Sequence, residues 1–133
     1  SPECPLRDGI DLGIVPAAVF TSPEVAVVGM TEDECEAAEI PVKCLKSMFR
    51  ANGKALAMDE PEGFCKLITA GEGSSYVPGQ ILGCHIFGAH ASDIIQEVAA
   101  LMNMHGTVDD IRRMVHPHPT LSEVILSAAR QGH

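Results

Sequence analysis

The chain has 133 residues, 18 acidic against 9 basic for a formal charge of -9, with one tyrosine and no tryptophan. Nucleic acid backbones are held by clustered Lys and Arg and single strands by aromatic platforms, so nucleic acid is not an expected partner. The longest apolar runs fall well short of the ~18 residues that span a bilayer, so no membrane partner is expected, and the length suits one soluble domain that buries roughly two thirds of its unfolded surface.

Residues 1–14, with prolines at 2 and 5 and glycines at 9 and 13, read as a tail or linker remnant, leaving 15–133 as one domain. Val15 to Phe20 and Glu24 to Gly29 are apolar and β-branched, which predicts two strands joined across Thr21-Ser22-Pro23. Thr31-Glu32-Asp33-Glu34 is a capping box that opens a short acidic helix, stopped by Pro41. Val42 to Phe49 reads as a strand. Ala51 to Met58 is ambiguous, and Pro61-Glu62-Gly63 separates it from the next run.

Phe64 to Ala70 and Gln80 to Gly88 are predicted strands of an antiparallel hairpin with a long glycine- and serine-rich loop. Ala91 to His105 places Ile94, Ile95, Val98, Leu101 and Met102 at helical spacing, with Gly106 as the expected C-cap. Thr107-Val108-Asp109-Asp110 begins a short helix, and a last helix is expected from about Pro119 to Arg130. Strands with one small helix, followed by three helices, fit an α+β layer with the helices on one face of the sheet.

Five cysteines at 4, 35, 44, 65 and 84 form no close pair, which suits reduced thiols and a cytoplasmic location. No G-x-G-x-x-G follows a strand, so the chain carries no dinucleotide site of its own. Ser1 in place of Met, together with these absences, leads us to expect a piece of a longer protein.

The segment with most chemistry in it is His116-Pro117-His118-Pro119-Thr120-Leu121-Ser122-Glu123. Two prolines stiffen it and push each preceding histidine out of helical backbone angles. Thr120 with Glu123 reads as a capping box, so a stiffly held imidazole stands at a helix entrance beside a carboxylate. Histidine titrates near ~6.5, and a carboxylate bonded to one ring nitrogen fixes the tautomer and stabilises the imidazolium. The opposing reading is a proline-rich turn before a capped helix, with no chemistry. A zinc site drawn from His116, His118, Cys84, His85 and His90 matches no recognised closed spacing, so no metal is expected.

This octapeptide resembles the His-x-His-Pro-Thr-x-x-Glu signature of the dihydrolipoamide dehydrogenases, within the pyridine nucleotide-disulfide oxidoreductases. Phe20-Thr21-x-Pro23-Glu24-x-Ala26-x-Val28-Gly29, about a hundred residues earlier, resembles the opening of the C-terminal interface (dimerisation) domain of the same enzymes. Pro117 departs from the pattern, where relatives carry a small residue.

The resemblance implies an α+β fold with a largely antiparallel sheet of roughly four to five strands and helices packed on one face. It implies a homodimer in which His118, oriented by Glu123, reaches the partner subunit's flavin and redox disulfide and deprotonates a dihydrolipoyl thiol, with electrons passing through FAD to NAD. The two oxygens of Glu123 are expected to divide the imidazole and the Thr120 amide between them. Pro119, after a cis peptide bond, would touch the flavin with His118. His116, Thr120, Thr21, Pro23 and Glu24 would position the site or line the interface.

The FAD- and NAD-binding domains are absent from this chain, which alone is expected to be inactive. The partner protein would carry the lipoyl group of a 2-oxo acid dehydrogenase or glycine-cleavage complex. A glutathione reductase-like disulfide reductase is the nearest alternative within the family, and a free-standing, non-catalytic dimerisation module the alternative outside it.

Overall fold

A computed structural model describes residues 14–131. The expected tail lies outside them except for Ile14, which packs partly buried against the main core. Five strands, β1 (Ala17–Val19), β2 (Glu24–Gly29), β3 (Val42–Met48), β4 (Gly63–Ala70) and β5 (Ile81–Gly88), form one sheet in the order β1-β2-β5-β4-β3. Every pairing is antiparallel.

Among the described residues five α-helices accompany them: α1 (Glu32–Ala37), α2 (Gly53–Ala57), α3 (Ala91–Asn103), α4 (Val108–Arg113) and α5 (Glu123–Arg130). The ambiguous 51–58 stretch forms α2, with Asn52 as its N-cap.

Alternation along the strands divides the core in two. Ala26, Val28, Leu45, Cys65, Leu67, Cys84 and Ile86 point to one face, where α3 packs on β1, β2 and β5 and α5 packs on β3 and β4. Ile68, Ala70 and Leu82 point to the other face and bury Cys35 of α1. The four later helices thus share one face, while α1 covers part of the second as the chain crosses from β2 to the far edge strand.

A register shift at Ile68/Thr69 breaks the alternation in β5, so Leu82 and Cys84, two residues apart, enter different cores. Four cysteines, Cys35, Cys44, Cys65 and Cys84, are free thiols, and only Cys44 is exposed. Although the residue is exposed, partial desolvation of its thiol, and after it a bond to Glu32, pushes Cys44 up to about 11, which favours the protonated form at neutral pH. No helix among the described residues is long and apolar enough to cross a membrane.

Two ends differ from expectation. Helix α3 stops at Asn103, and His105, not Gly106, takes the left-handed turn that closes it. The amides of His105 and Gly106 donate to Met102 O at 3.0 Å and Leu101 O at 2.7 Å, the double bond of a Schellman closure. Gly106 occupies the following position, where a Cβ would stand 2.9 Å from Leu101 O.

Helix α5 begins at Glu123 instead of Pro119, because residues 120–125 enter it through tighter i to i+3 bonds. The Thr120 hydroxyl is not an N-cap either. It donates backwards to Pro117 O at 2.8 Å, so only the carboxylate half of the expected capping box forms.

Candidate functional site

The His-Pro segment is fixed from several sides. Leu121 is buried in the main core, and Ser47 of β3, buried itself, donates Oγ–H to Val124 O at 2.6 Å. Asn52 is also buried. Its Oδ1 caps α2 by accepting from the Ala55 amide at 2.9 Å, while its Nδ2 donates to Thr120 O at 2.9 Å. One side chain therefore both starts α2 and holds the segment, although 68 residues separate it from Thr120. The His118–Pro119 peptide bond is cis, and so is Ser22–Pro23.

From this anchored turn His118 projects outward, 76% exposed, with Nδ1 3.0 Å from Glu123 Oε1 and 3.2 Å from Oε2. A carboxylate only accepts, so the proton of this bond sits on Nδ1 and Nε2 is left as the free basic nitrogen. The expected division of the two oxygens is incomplete: Oε1 also accepts from the Thr120 amide at 3.0 Å, while the imidazole forks across both. The Thr120 amide, and after it the His118 ring, hold Glu123 below the usual carboxylate range against the opposing effect of burial. Glu123 therefore stays ionised at neutral pH.

The two motifs line adjoining hollows. An open groove of 580 Å³ is lined by Lys54, Met58, His90, Ile94, Pro119 and Thr120, among others. A hollow of 170 Å³, lined by Thr21, Pro23, Glu24, Met58 and His90, shares two of its walls with that groove. Thr21 turns inward on its own loop, donating to Pro23 O at 2.7 Å. Glu24 Oε1 accepts the Ser92 amide at 3.0 Å and the Ser92 hydroxyl at 2.6 Å. These bonds, the hydroxyl first, lower its pKa. Glu24 thereby caps α3 in place of His90, whose side chain makes no capping bond.

His116 faces inward instead of into the groove and pairs with Glu97 of α3. Sequence reasoning missed Glu97, Asn52 and Ser92. Asn52 before Gly53 was a visible cap signal, whereas nothing in the local pattern joined Glu97 to His116 or Ser92 to Glu24. The residues weighed as zinc ligands are dispersed: Cys84 lies in the main core, while its strand neighbour His85 stands on the other face beside Lys66 and Glu32. Among the described residues no group of three or more His, Cys, Asp or Glu is placed to hold a metal.

This architecture is shared with solved structures. LpdA from Mycobacterium tuberculosis superposes with a TM-score of 0.82 at 28% identity, over 93% of this chain and 26% of that one. The HOCl-induced flavoprotein disulfide reductase RclA from Escherichia coli has the same fold, with a TM-score of 0.79 at 22% identity over 87% of this chain and 26% of its own. The fold is therefore one that also occurs in LpdA and in RclA.

More narrowly, the chain belongs to the pyridine nucleotide-disulphide oxidoreductase dimerisation domain family, whose model matches residues 15–129. Dihydrolipoyl dehydrogenase 2 of Arabidopsis thaliana chloroplasts is 44% identical over 117 residues, 84% of this chain and 19% of that protein. Dihydrolipoyl dehydrogenase of Bacillus subtilis is 41% identical over 120 residues, 90% of this chain and 24% of that protein. The chain thus spans about a quarter or less of the length of these relatives.

Proposed function

We propose that residues 15–133 are the dimerisation domain of a homodimeric, FAD- and NAD-dependent dihydrolipoyl dehydrogenase, with the cofactor-binding domains elsewhere in the polypeptide. His118 and Glu123 act as the acid/base pair for the partner subunit's site. The observation that carries this reading is the exposed His118 ring, bonded through Nδ1 to Glu123 with Nε2 left free. Relatives named dihydrolipoyl dehydrogenase support the substrate class. The partner would be a lipoyl-carrying protein of a 2-oxo acid dehydrogenase or glycine-cleavage complex, and the free thiols fit a reducing compartment such as the cytoplasm.

The chemistry follows from the base. Nε2 of His118 takes the proton of one dihydrolipoyl thiol, because the thiolate is the nucleophile in disulfide exchange. That thiolate attacks one sulfur of a redox disulfide held by another domain, and the other sulfur departs as a thiolate. The second substrate thiol, once deprotonated, closes the lipoyl disulfide and releases the first sulfur, so two electrons have moved from substrate to enzyme. Glu123 stabilises the imidazolium that forms between these steps and keeps the ring in register.

Pro119 and His118 would contact a flavin held by another domain. The groove beside them contributes Lys54 but no glycine-rich amide cradle of the kind that binds a dinucleotide. FAD, when bound, supplies the route for the two electrons from the redox disulfide to NAD.

The test is His118→Gln in the full-length enzyme. Oxidation of dihydrolipoamide should fall by at least ~10²-fold, while reduction of ferricyanide by NADH, which needs no thiol base, should persist. An undiminished dihydrolipoamide rate, or an active monomer, would overturn the proposal.

A further inference from the structure

His116 stands two residues before the proposed base and is held quite differently. Its Nε2 lies 2.9 Å from Glu97 Oε2, its side chain is 3% exposed, and its Nδ1 is buried with no partner. The Glu97 bond is thus the one polar tether of a buried imidazole. It also fixes the tautomer, with the proton on Nε2 in His116 but on Nδ1 in His118.

Without the carboxylate both ring nitrogens of His116 would be buried and unpaired, a costly state that favours expulsion of the ring. Pro117 has a fixed φ, so it cannot absorb such a shift at that torsion, and movement of His116 carries into His118.

We propose that Glu97 is a positioning residue for the acid/base pair. By clamping His116 to α3 it sets where Nε2 of His118 stands relative to the bound thiol. Helix α3 is the element whose start is capped by Glu24, so the clamp and the cap act on one rigid body. The inference rests on the base assignment for His118 made above.

Two measurements test it, the first independent of that assignment. In this chain labelled with 15N-histidine, the ring shifts of His116 should report an Nε2–H tautomer. A His116 with its proton on Nδ1, or with averaged shifts, overturns the clamp.

The second uses the full-length enzyme. Glu97→Ala should lower dihydrolipoamide turnover by about tenfold through misplacement of the base, with NADH–ferricyanide turnover unchanged. Glu97→Gln keeps an acceptor oxygen and should restore most of the loss. Equal loss in both assays marks a merely structural role and overturns the inference. If Glu97→Ala does not fold, Glu97→Gln decides: turnover as low as that of His118→Gln refutes a neutral-acceptor tether. Retained turnover in His118→Gln sinks the base assignment, whereas loss there with normal turnover in Glu97→Ala sinks only the clamp.

Discussion

Asn52 offers the sharpest quantitative test because one buried amide does two separable things. Its Oδ1 caps α2, and loss of a side-chain N-cap costs about 1 kcal/mol. Its Nδ2 tethers Thr120 O, a partly buried neutral bond worth about another 1 kcal/mol. Asn52→Ala removes both and should destabilise the chain by about 2 kcal/mol, close to 8 °C in Tm at roughly 4 °C per kcal/mol for this size.

Asn52→Asp retains the cap but replaces the donor with an oxygen facing a carbonyl. At pH 7 it should lose at least the ~1 kcal/mol of the tether. The introduced carboxyl group can donate to Thr120 O only when protonated, so its folded pKa lies above its unfolded value. Its contribution is then present below the unfolded pKa, near ~3.9, and lost as pH rises through the folded one. The gap between Asn52→Asp and the parent should therefore narrow between pH 7 and pH 4. Urea unfolding followed by circular dichroism at both pH values measures it. A variant as stable as the parent at pH 7, or a gap unchanged by acid, would refute the tether.

Other consequences can be checked on the same chain. A Cβ at Gly83 would lie 2.1 Å from Met30 O, and the Met30 amide is itself bonded to Leu82 O at 2.9 Å, so the contact cannot open without breaking the sheet. Gly83→Ala should cost about 2–3 kcal/mol in denaturant unfolding. Glu24→Ala removes both bonds to Ser92 and should lower Tm by about 4 °C, with Glu24→Gln recovering part of the loss. Glu24, Glu32, Asp110 and Glu123 all have lowered pKa values through bonds to the folded chain. Their contributions are complete above the unfolded carboxylate pKa, near ~4, and vanish as pH falls through the folded values, so stability should drop on acidification below about pH 4.5. A flat acid profile between pH 5 and pH 2 would contradict these bonds.

Much of this molecule is determined locally and was therefore legible in its sequence. The apolar strand runs of β2 to β5, the capping box at Thr31, the helix start at Thr107 and the apolar stripe of α3 each depend on neighbours within a few residues. The His118–Glu123 pair was legible for the same reason, since five residues and two prolines bring imidazole and carboxylate together. Helix ends were less so. Thr120 carried the cap signal, but the backward bond to Pro117 O drew its hydroxyl away, and a capping pattern does not record such competition.

The tertiary structure alone decided which distant groups hold these local pieces. The hollow lined by Thr21, Pro23 and Glu24 adjoins the one lined by Pro119 and Thr120 only because β2 pairs with β5 and α3 packs across both. Asn52 meets Thr120, Glu97 meets His116 and Glu24 meets Ser92 only once the sheet and helices have packed. A carboxylate or amide on an element's polar side has the same local signature whether it faces water or a buried donor. Its partner is chosen by burial, where an unpaired polar group is costly, and burial is a property of the assembled layers.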